Sequence, residues 1–198
     1  MNTVNIRKYH HGNLRAELIQ AAVDLAAEHG PEGFSLRGVA RHVGVSPSAA
    51  YRHFVGQDEL RSEVAAVAAE RLADAMRAAI GGLSDPGARL AASGRAYVDF
   101  ATAEPGLFRA MLATPDFDPE RPGGGGFGVL RTLVAEAGLG EDVATVAVAL
   151  WATVHGLATL LTSGPLAALP EEERRELIDA TLNFVGSRRG PADGVRRG

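Results

Sequence analysis

The chain contains no cysteine. That excludes a disulfide scaffold, a thiol nucleophile and thiolate metal sites, and it fits a reducing, cytoplasmic setting. Alternation of apolar and polar residues with period two is absent, so the material for a β-sheet is missing. Aromatic residues are only 6% of the 198, with a single tryptophan. The net charge of −4 excludes a chain that holds polyanions by bulk electrostatics. The first nine residues have no apolar run, so no secretory signal is expected. Catalytic motifs are missing too: there is no G-x-S-x-G, no H-E-x-x-H and no P-loop, and 61–186 offer no catalytic constellation. No enzymatic site, cofactor or metal is therefore expected. His10-His11 could ligate a metal, but no paired carboxylate or thiolate lies near them in sequence. Residues 123–128 read GGGGFG and match a dinucleotide fingerprint literally. The preceding DFDPERP cannot be a core strand, so these glycines are read as a flexible loop.

What is present is a globular composition, 46% apolar and 22% charged, dominated by residues that favour helix. The expected fold is all-α, with nine helices at about 13–29, 35–43, 46–54, 58–80, 86–103, 105–113, 127–137, 141–163 and 170–186. Asn13 can cap the first, and Gly30-Pro31 stops it. Residues 114–126 are read as a loop. Charge is unevenly placed. Residues 1–55 carry six Arg/Lys against four acids and five of the six histidines, whereas the remainder carries 14 basic against 20 acidic residues. The N-terminal quarter is thus the end suited to face a polyanion.

That quarter contains SLRGVARHVGVSPSAAYRHFVGQDEL at 35–60. Ser35 can cap a short helix, and Val39 and Val43 share its inward face. Ala40 is small where two helices would cross. Gly44 permits a left-handed turn and Val45 plugs it. Ser46 caps a second helix with Pro47 at its first position, where the missing N–H costs nothing. The arrangement predicts a helix-turn-helix whose second helix enters the major groove and exposes Ser48, Ala49, Arg52 and His53. The competing reading is an ordinary helical hairpin with no DNA.

These residues, with a first helix ending at Gly30, with AYRHF and with QDEL opening a fourth helix, resemble the TetR family of bacterial transcriptional regulators. KYHHGNLR at 8–15 and LWATVHG at 150–156 look like the subgroup whose C-terminal domain is called WHG. The resemblance implies an N-terminal three-helix DNA-binding domain and a C-terminal helical ligand-binding and dimerisation domain. Boundaries are expected at 1–57 and 58–190, followed by a tail at 191–198. It implies a homodimer on double-stranded operator DNA, released by a small molecule. Carried over by position, Ser35, Tyr51 and His53 would hold phosphates, while Ser46, Pro47, Ser48, Ala49 and Arg52 would face the groove. Arg37 belongs to the same surface. The family often has a lysine at the start of the fourth helix; here it is Gln57, so that phosphate contact would be neutral or absent. An arm of Arg7, Lys8, His10 and His11 could compensate, or could simply be solvated.

Residues 143–170 contain no charged side chain. The stretch is long enough to span a bilayer. It is rich in Ala and Thr, carries His155, is broken by Gly164-Pro165 and has acidic flanks without a Lys/Arg anchor. It is read as a helix buried in the protein and in an oligomer interface, with no membrane partner. On it Val146, Leu150, Val154, Leu157, Leu160 and Leu161 form an aliphatic face. Thr145, Ala149, Ala152 and Gly156 form a small-residue face, and Trp151, His155, Thr159 and Thr162 an aromatic-polar one. The ninth helix, with Leu177, Ile178, Thr181, Leu182 and Val185 on one side, is its natural partner, and by resemblance the last two helices form the dimer. Tyr97, Phe100, Phe108, Met111, Leu112, Trp151 and His155 are candidates to line a ligand pocket, against the plainer reading of ordinary core. For Trp151 and His155 the reading leans towards packing and interface. A second class of function stays open: a helical small-molecule-binding protein or enzyme with a degenerate DNA-binding head.

Overall fold

The computed structural model describes residues 13–113, 125–140 and 142–187. Among these residues there are nine helices and no strand. They are α1 (Leu14–His29), α2 (Leu36–Val43), α3 (Pro47–Ala50), α4 (Gln57–Ile80), α5 (Pro86–Ala103), α6 (Pro105–Leu112), α7 (Gly125–Glu136), α8 (Val143–Thr162) and α9 (Glu171–Ser187). The arm residues Arg7, Lys8, His10 and His11, residues 114–124, Glu141 and the 188–198 tail lie outside the described residues.

Local chemistry sets most of the ends. Asp85 accepts the Ala88 N–H at 2.7 Å and starts α5 with Pro86 at its first position. Asp142 caps α8 through the Thr145 N–H at 3.0 Å and the Thr145 hydroxyl at 2.6 Å, and those bonds hold its carboxyl below the usual carboxylate range. Gly30, at φ 79°, closes α1 with its N–H on the Ala26 carbonyl at 2.8 Å. Asn13 stands at the N-cap of α1, but its side chain makes no capping bond.

Two expected elements differ. The third helix is a single turn, Pro47–Ala50, and Tyr51–His53 continue it as a tighter turn, with the Arg52 N–H on Ala49 and the His53 N–H on Ala50. Gly125 and Gly126, expected to be loop, instead open α7. Packing explains this. A Cβ at Gly126 would fall 2.7 Å from Met76 Sδ and 3.1 Å from Leu72 Cδ2, so the missing side chain lets α7 lie against α4.

Helix α4 spans 24 residues, about 36 Å at 1.5 Å per residue, and packs on α1, α5, α6 and α7. Helix α5 is the hub of the C-terminal half, touching α4, α6, α7, α8 and α9. One apolar core runs from Leu18, Ala22 and Ala26 of α1 through Val64, Ala68 and Leu72 of α4 to Tyr97, Phe108 and Ala158. A second, smaller core joins Val98, Leu157, Leu161 and Ile178. Helix α9 packs chiefly on α5, aided by an Arg95–Asp179 ion pair, and touches α8 only lightly. Helix α6 closes on α1 so tightly that a Cβ at Gly106 would lie 2.3 Å from the Ala26 carbonyl oxygen.

Candidate functional site

The α2–α3 unit is built by its caps. Ser35 Oγ accepts the Gly38 N–H at 3.0 Å, and Leu36, Val39 and Ala40 bury the inner face. Gly44 takes φ 85° and ψ 26°, the left-handed conformation. A Cβ there would meet nothing within 4 Å, so the preference for glycine is one of backbone conformation and not of space. The Val45 N–H returns to the Ala40 carbonyl at 2.9 Å, closing α2 as the chain turns. Ser46 Oγ then accepts the Ala49 N–H at 3.3 Å and lies 3.0 Å from Ser48 Oγ. Ala40 and Ala50 are fully buried where α2 and α3 meet.

This leaves one surface open. Ser35, Arg37, Arg41, Ser46, Pro47, Ser48, Tyr51 and Arg52 are exposed there, with Ala49 and His53 half-buried. The Ser35 hydroxyl uses a lone pair for its cap, so its proton remains available to a phosphate oxygen. Arg37, Arg41 and Arg52 have no acidic partner among the described residues. Elsewhere Arg15, Arg61, Arg77, Arg89, Arg95, Arg174 and Arg175 are paired with acids, whereas among the described residues Arg71 and Arg109 are not. Three such cations, Arg37, Arg41 and Arg52, on the α2–α3 unit are the kind of footprint that phosphates need.

Gln57 is placed differently from a phosphate contact. Its Oε1 accepts the Leu36 N–H at 2.6 Å and its Nε2 donates to the Phe34 carbonyl at 3.0 Å. The side chain therefore straps the start of α4 to the start of α2. A second tie was not visible in the sequence. Arg15 donates to Glu59 at 3.1 Å and Glu63 at 2.7 Å, and its guanidinium lies 4.9 Å over the buried Phe54 ring. Glu59 also accepts the Val55 N–H at 2.7 Å; that bond, with Arg15 beside it, holds its carboxyl below the usual range. Phe54, 1% exposed, thus anchors the end of the groove-facing turn.

The C-terminal half holds a cavity of about 60 Å³, walled by α4, α5, α7, α8 and α9 through residues that include Met76, Ser93, Tyr97, Gly126, Trp151 and Leu182. Among the described residues no charged side chain lines it. Tyr97 and Trp151 of the expected set line this cavity. His155 and Phe108 stand behind Tyr97, whose ring centroid is 5.8 Å from that of Phe108. Phe100 and Met111 belong to the core, and Leu112 is 41% exposed, so these three lie away from the cavity. Ser93, Gly126 and Leu182 were missed, because only the crossing of helices makes them neighbours.

Behind the cavity the polar groups form a chain. Trp151 Nε1 can only donate, and it reaches Tyr97 Oη at 3.3 Å. The tyrosine hydroxyl is also hydrogen-bonded to His155 Nδ1, 2.9 Å away, with the donor set by the histidine tautomer. Burial pushes the Tyr97 hydroxyl up to about 12 and lowers His155 from its ordinary value. Burial thus favours the uncharged form of both groups. The indole N–H thus finds its partner on the neighbouring helix α5.

Comparison with known proteins places these features in a group. Residues 18–64 match the family model described as bacterial regulatory proteins, tetR family, and residues 90–185 match a tetracyclin repressor-like C-terminal domain. The chain is 32% identical over 95 residues to the HTH-type transcriptional regulator YobS of Bacillus subtilis (strain 168), covering 48% of this chain and 49% of that protein. It spans about half the length of the curated relatives it matches. A structure of a protein of unknown function from Rhodococcus sp. RHA1 aligns at 30% identity and TM-score 0.70, over 92% of this chain and 96% of that one. The TetR family transcriptional regulator PfmR from Thermus thermophilus shares the fold at 24% identity and TM-score 0.56, over 84% and 97% of the two chains.

Proposed function

The chain belongs to the tetR family of bacterial regulatory proteins, and from that membership we propose that it is a ligand-responsive transcriptional regulator. In this reading it acts in the cytoplasm as a homodimer, binds a near-palindromic operator and represses until a small molecule releases it. No catalytic reaction is part of the proposal. The observation that carries it is the capped α2–Gly44–α3 unit, which presents Ser48, Tyr51 and Arg52 beside cations with no acidic partner among the described residues. Arg52 and the Ser48–Ala49 edge face bases, while Ser35, Arg37, Tyr51 and His53 hold the backbone. Gln57 acts indirectly, by fixing the angle between α2 and α4.

Dimerisation through α8 and α9 is supported by an uncharged open strip. Thr145, Val148, Ala149, Ala152, Thr159 and Leu160 are exposed along α8, and a Cβ at Gly156 would meet nothing within 4 Å. Phe184 on α9 is 58% exposed. Helix α8 is long and apolar enough to cross a membrane, yet only 22% of its most apolar window is buried within the chain; a second copy would cover the rest. The likeness to the WHG subgroup belongs to the same proposal, supported by Trp151 and His155 meeting on Tyr97 while Gly156 faces the open strip.

The cavity at Tyr97 and Trp151 is the proposed effector site. At about 60 Å³ it is smaller than the roughly 150 Å³ apolar cavity that takes benzene. An effector must therefore favour a conformer with its walls further apart, and that preference is what can bias DNA binding. Helix α6 spans the two regions, with Phe108 against Tyr97 and Gly106 against α1.

The test is selection of bound sites from a random DNA pool, followed by footprinting. Two inverted half-sites roughly 34–36 Å apart, or a multiple of that, are expected. An asymmetric half-site bound by a monomer would overturn the reading. Operator DNA should also weaken effector binding by the same factor by which effector weakens operator binding.

A further inference from the structure

Ser93 is one of the cavity-lining residues, and its fully buried hydroxyl has no hydrogen-bond partner among the described residues. That is an anomaly within this chain. A hydroxyl on a helix can turn onto the carbonyl four residues back, and Thr102, Thr132, Thr153, Thr159, Thr162 and Thr181 all do so, at 2.8–3.1 Å. Ser93 does not. A buried polar atom left unpaired is costly, and it marks a place where a partner belongs.

The other polar groups of the wall are already committed. The Trp151 N–H goes to Tyr97, the Tyr97 hydroxyl shares a hydrogen bond with His155, and the Thr153 O–H goes to the Ala149 carbonyl. Among the described residues lining the cavity, Ser93 alone has a buried hydroxyl with no hydrogen-bond partner. The complement of its proton is an oxygen acceptor on the occupant. The rest of the occupant is constrained by charge. Among the described residues no Asp, Glu, Lys, Arg or His lines the wall, so a carboxylate, phosphate or ammonium group would lose its hydration with none of them to neutralise it. Size is constrained by the volume and by two soft walls. A Cβ at Gly94 would lie 2.9 Å from Leu182 Cδ2, and one at Gly126 would lie 2.7 Å from Met76 Sδ, so the space is bounded by flexible side chains at glycine positions.

Resting on the reading of this cavity as the effector site, we propose that its occupant is a neutral, compact, mainly apolar molecule with a ketone- or ester-type oxygen that accepts the Ser93 hydroxyl proton. Its upper size would be about that of a six-membered ring with one substituent, because even benzene already requires the walls to move apart. Binding would push Leu182 and Met76 outwards and press on Trp151.

The experiment uses the full chain and four probes of one ring size: cyclohexanone, methylcyclohexane, cyclohexanecarboxylate and cyclohexylammonium. Trp151 is the sole tryptophan, so its emission reports occupancy, and thermal shift gives a second readout. Cyclohexanone should bind at least about tenfold more tightly than either charged probe. Ser93→Ala should weaken cyclohexanone about tenfold, as loss of one hydrogen bond does. It should leave methylcyclohexane unchanged, and the unliganded variant should melt no lower than the wild type, because it loses an unpaired hydroxyl. Tightest binding of the carboxylate, an unchanged cyclohexanone affinity in Ser93→Ala, or no binding of any probe would each overturn the proposal. Selected operator DNA is included in a parallel titration. Ser93-dependent binding of cyclohexanone that leaves DNA bound would support the ligand chemistry and overturn the effector reading of the site.

Discussion

Gln57 Oε1 accepts the backbone N–H of Leu36 at 2.6 Å, joining the first residue of α4 to the first residue of α2. The same amide donates to the Phe34 carbonyl, so a single side chain satisfies both sides of the α2 entry. Gln57→Ala should cost about 1–2 kcal/mol of stability, as two half-buried hydrogen bonds are lost. In urea the midpoint should fall with the slope unchanged. Unchanged stability with weaker DNA binding would mean that this side chain serves the phosphate after all.

Arg52 is exposed and has no acidic partner among the described residues, whereas Tyr51 beside it is 47% exposed. Arg52→Ala should relax preference at one operator position, by about 1–3 kcal/mol if the guanidinium makes a bidentate guanine contact. Tyr51→Phe should weaken all sequences alike. Binding isotherms on single-base operator variants separate the two, and a uniform effect of Arg52→Ala would reverse the assigned orientation of the turn.

His155 gives the fold an acid sensitivity. Burial holds its imidazole below the ordinary 6.5, so between the two values the unfolded chain binds a proton that the folded chain refuses. Its contribution is whole above the unfolded value and is lost as pH falls through that value towards the folded one. The Tm should therefore drop further from about pH 7.5 to about pH 5.5 in the wild type than in His155→Gln. Tyr97, pushed up to about 12, stays neutral across that window. An equal drop in both proteins would assign the acid sensitivity to other groups.

The open strip on α8 offers a test of assembly that does not touch the core. Leu160 is 41% exposed and Val148 is 49% exposed. Leu160→Glu should convert a dimer into a monomer of unchanged helical content, measured by sedimentation and circular dichroism. A variant that remains dimeric would move the interface to another face.

The turn chemistry was legible because it is local. Ser35, Gly44, Ser46 and Pro47 act on groups one to four residues away, and the structure reproduces each role. The start of α7 was not legible, because the helix begins among glycines that by propensity are loop. Gly126 is helical because α4 presses against it at Met76 and Leu72, a contact that no window around residue 126 contains.

By itself the sequence determined the all-α class, the order of the helices, the capped helix-turn-helix and the family to which they belong. The first three follow from periodicity and capping, whose partners lie within one turn of the same helix, and the family from the resemblance that those motifs carry. The tertiary structure alone decided the partners that lie far apart. It tied Arg15 to Glu59 and Glu63, turned Gln57 back onto Leu36, aligned Trp151, Tyr97 and His155 into one chain, and left the Ser93 hydroxyl unpaired beside a cavity. Each depends on which helices cross and at what height. That is set by the fit of whole apolar faces across the core and not by the residues next to the group concerned.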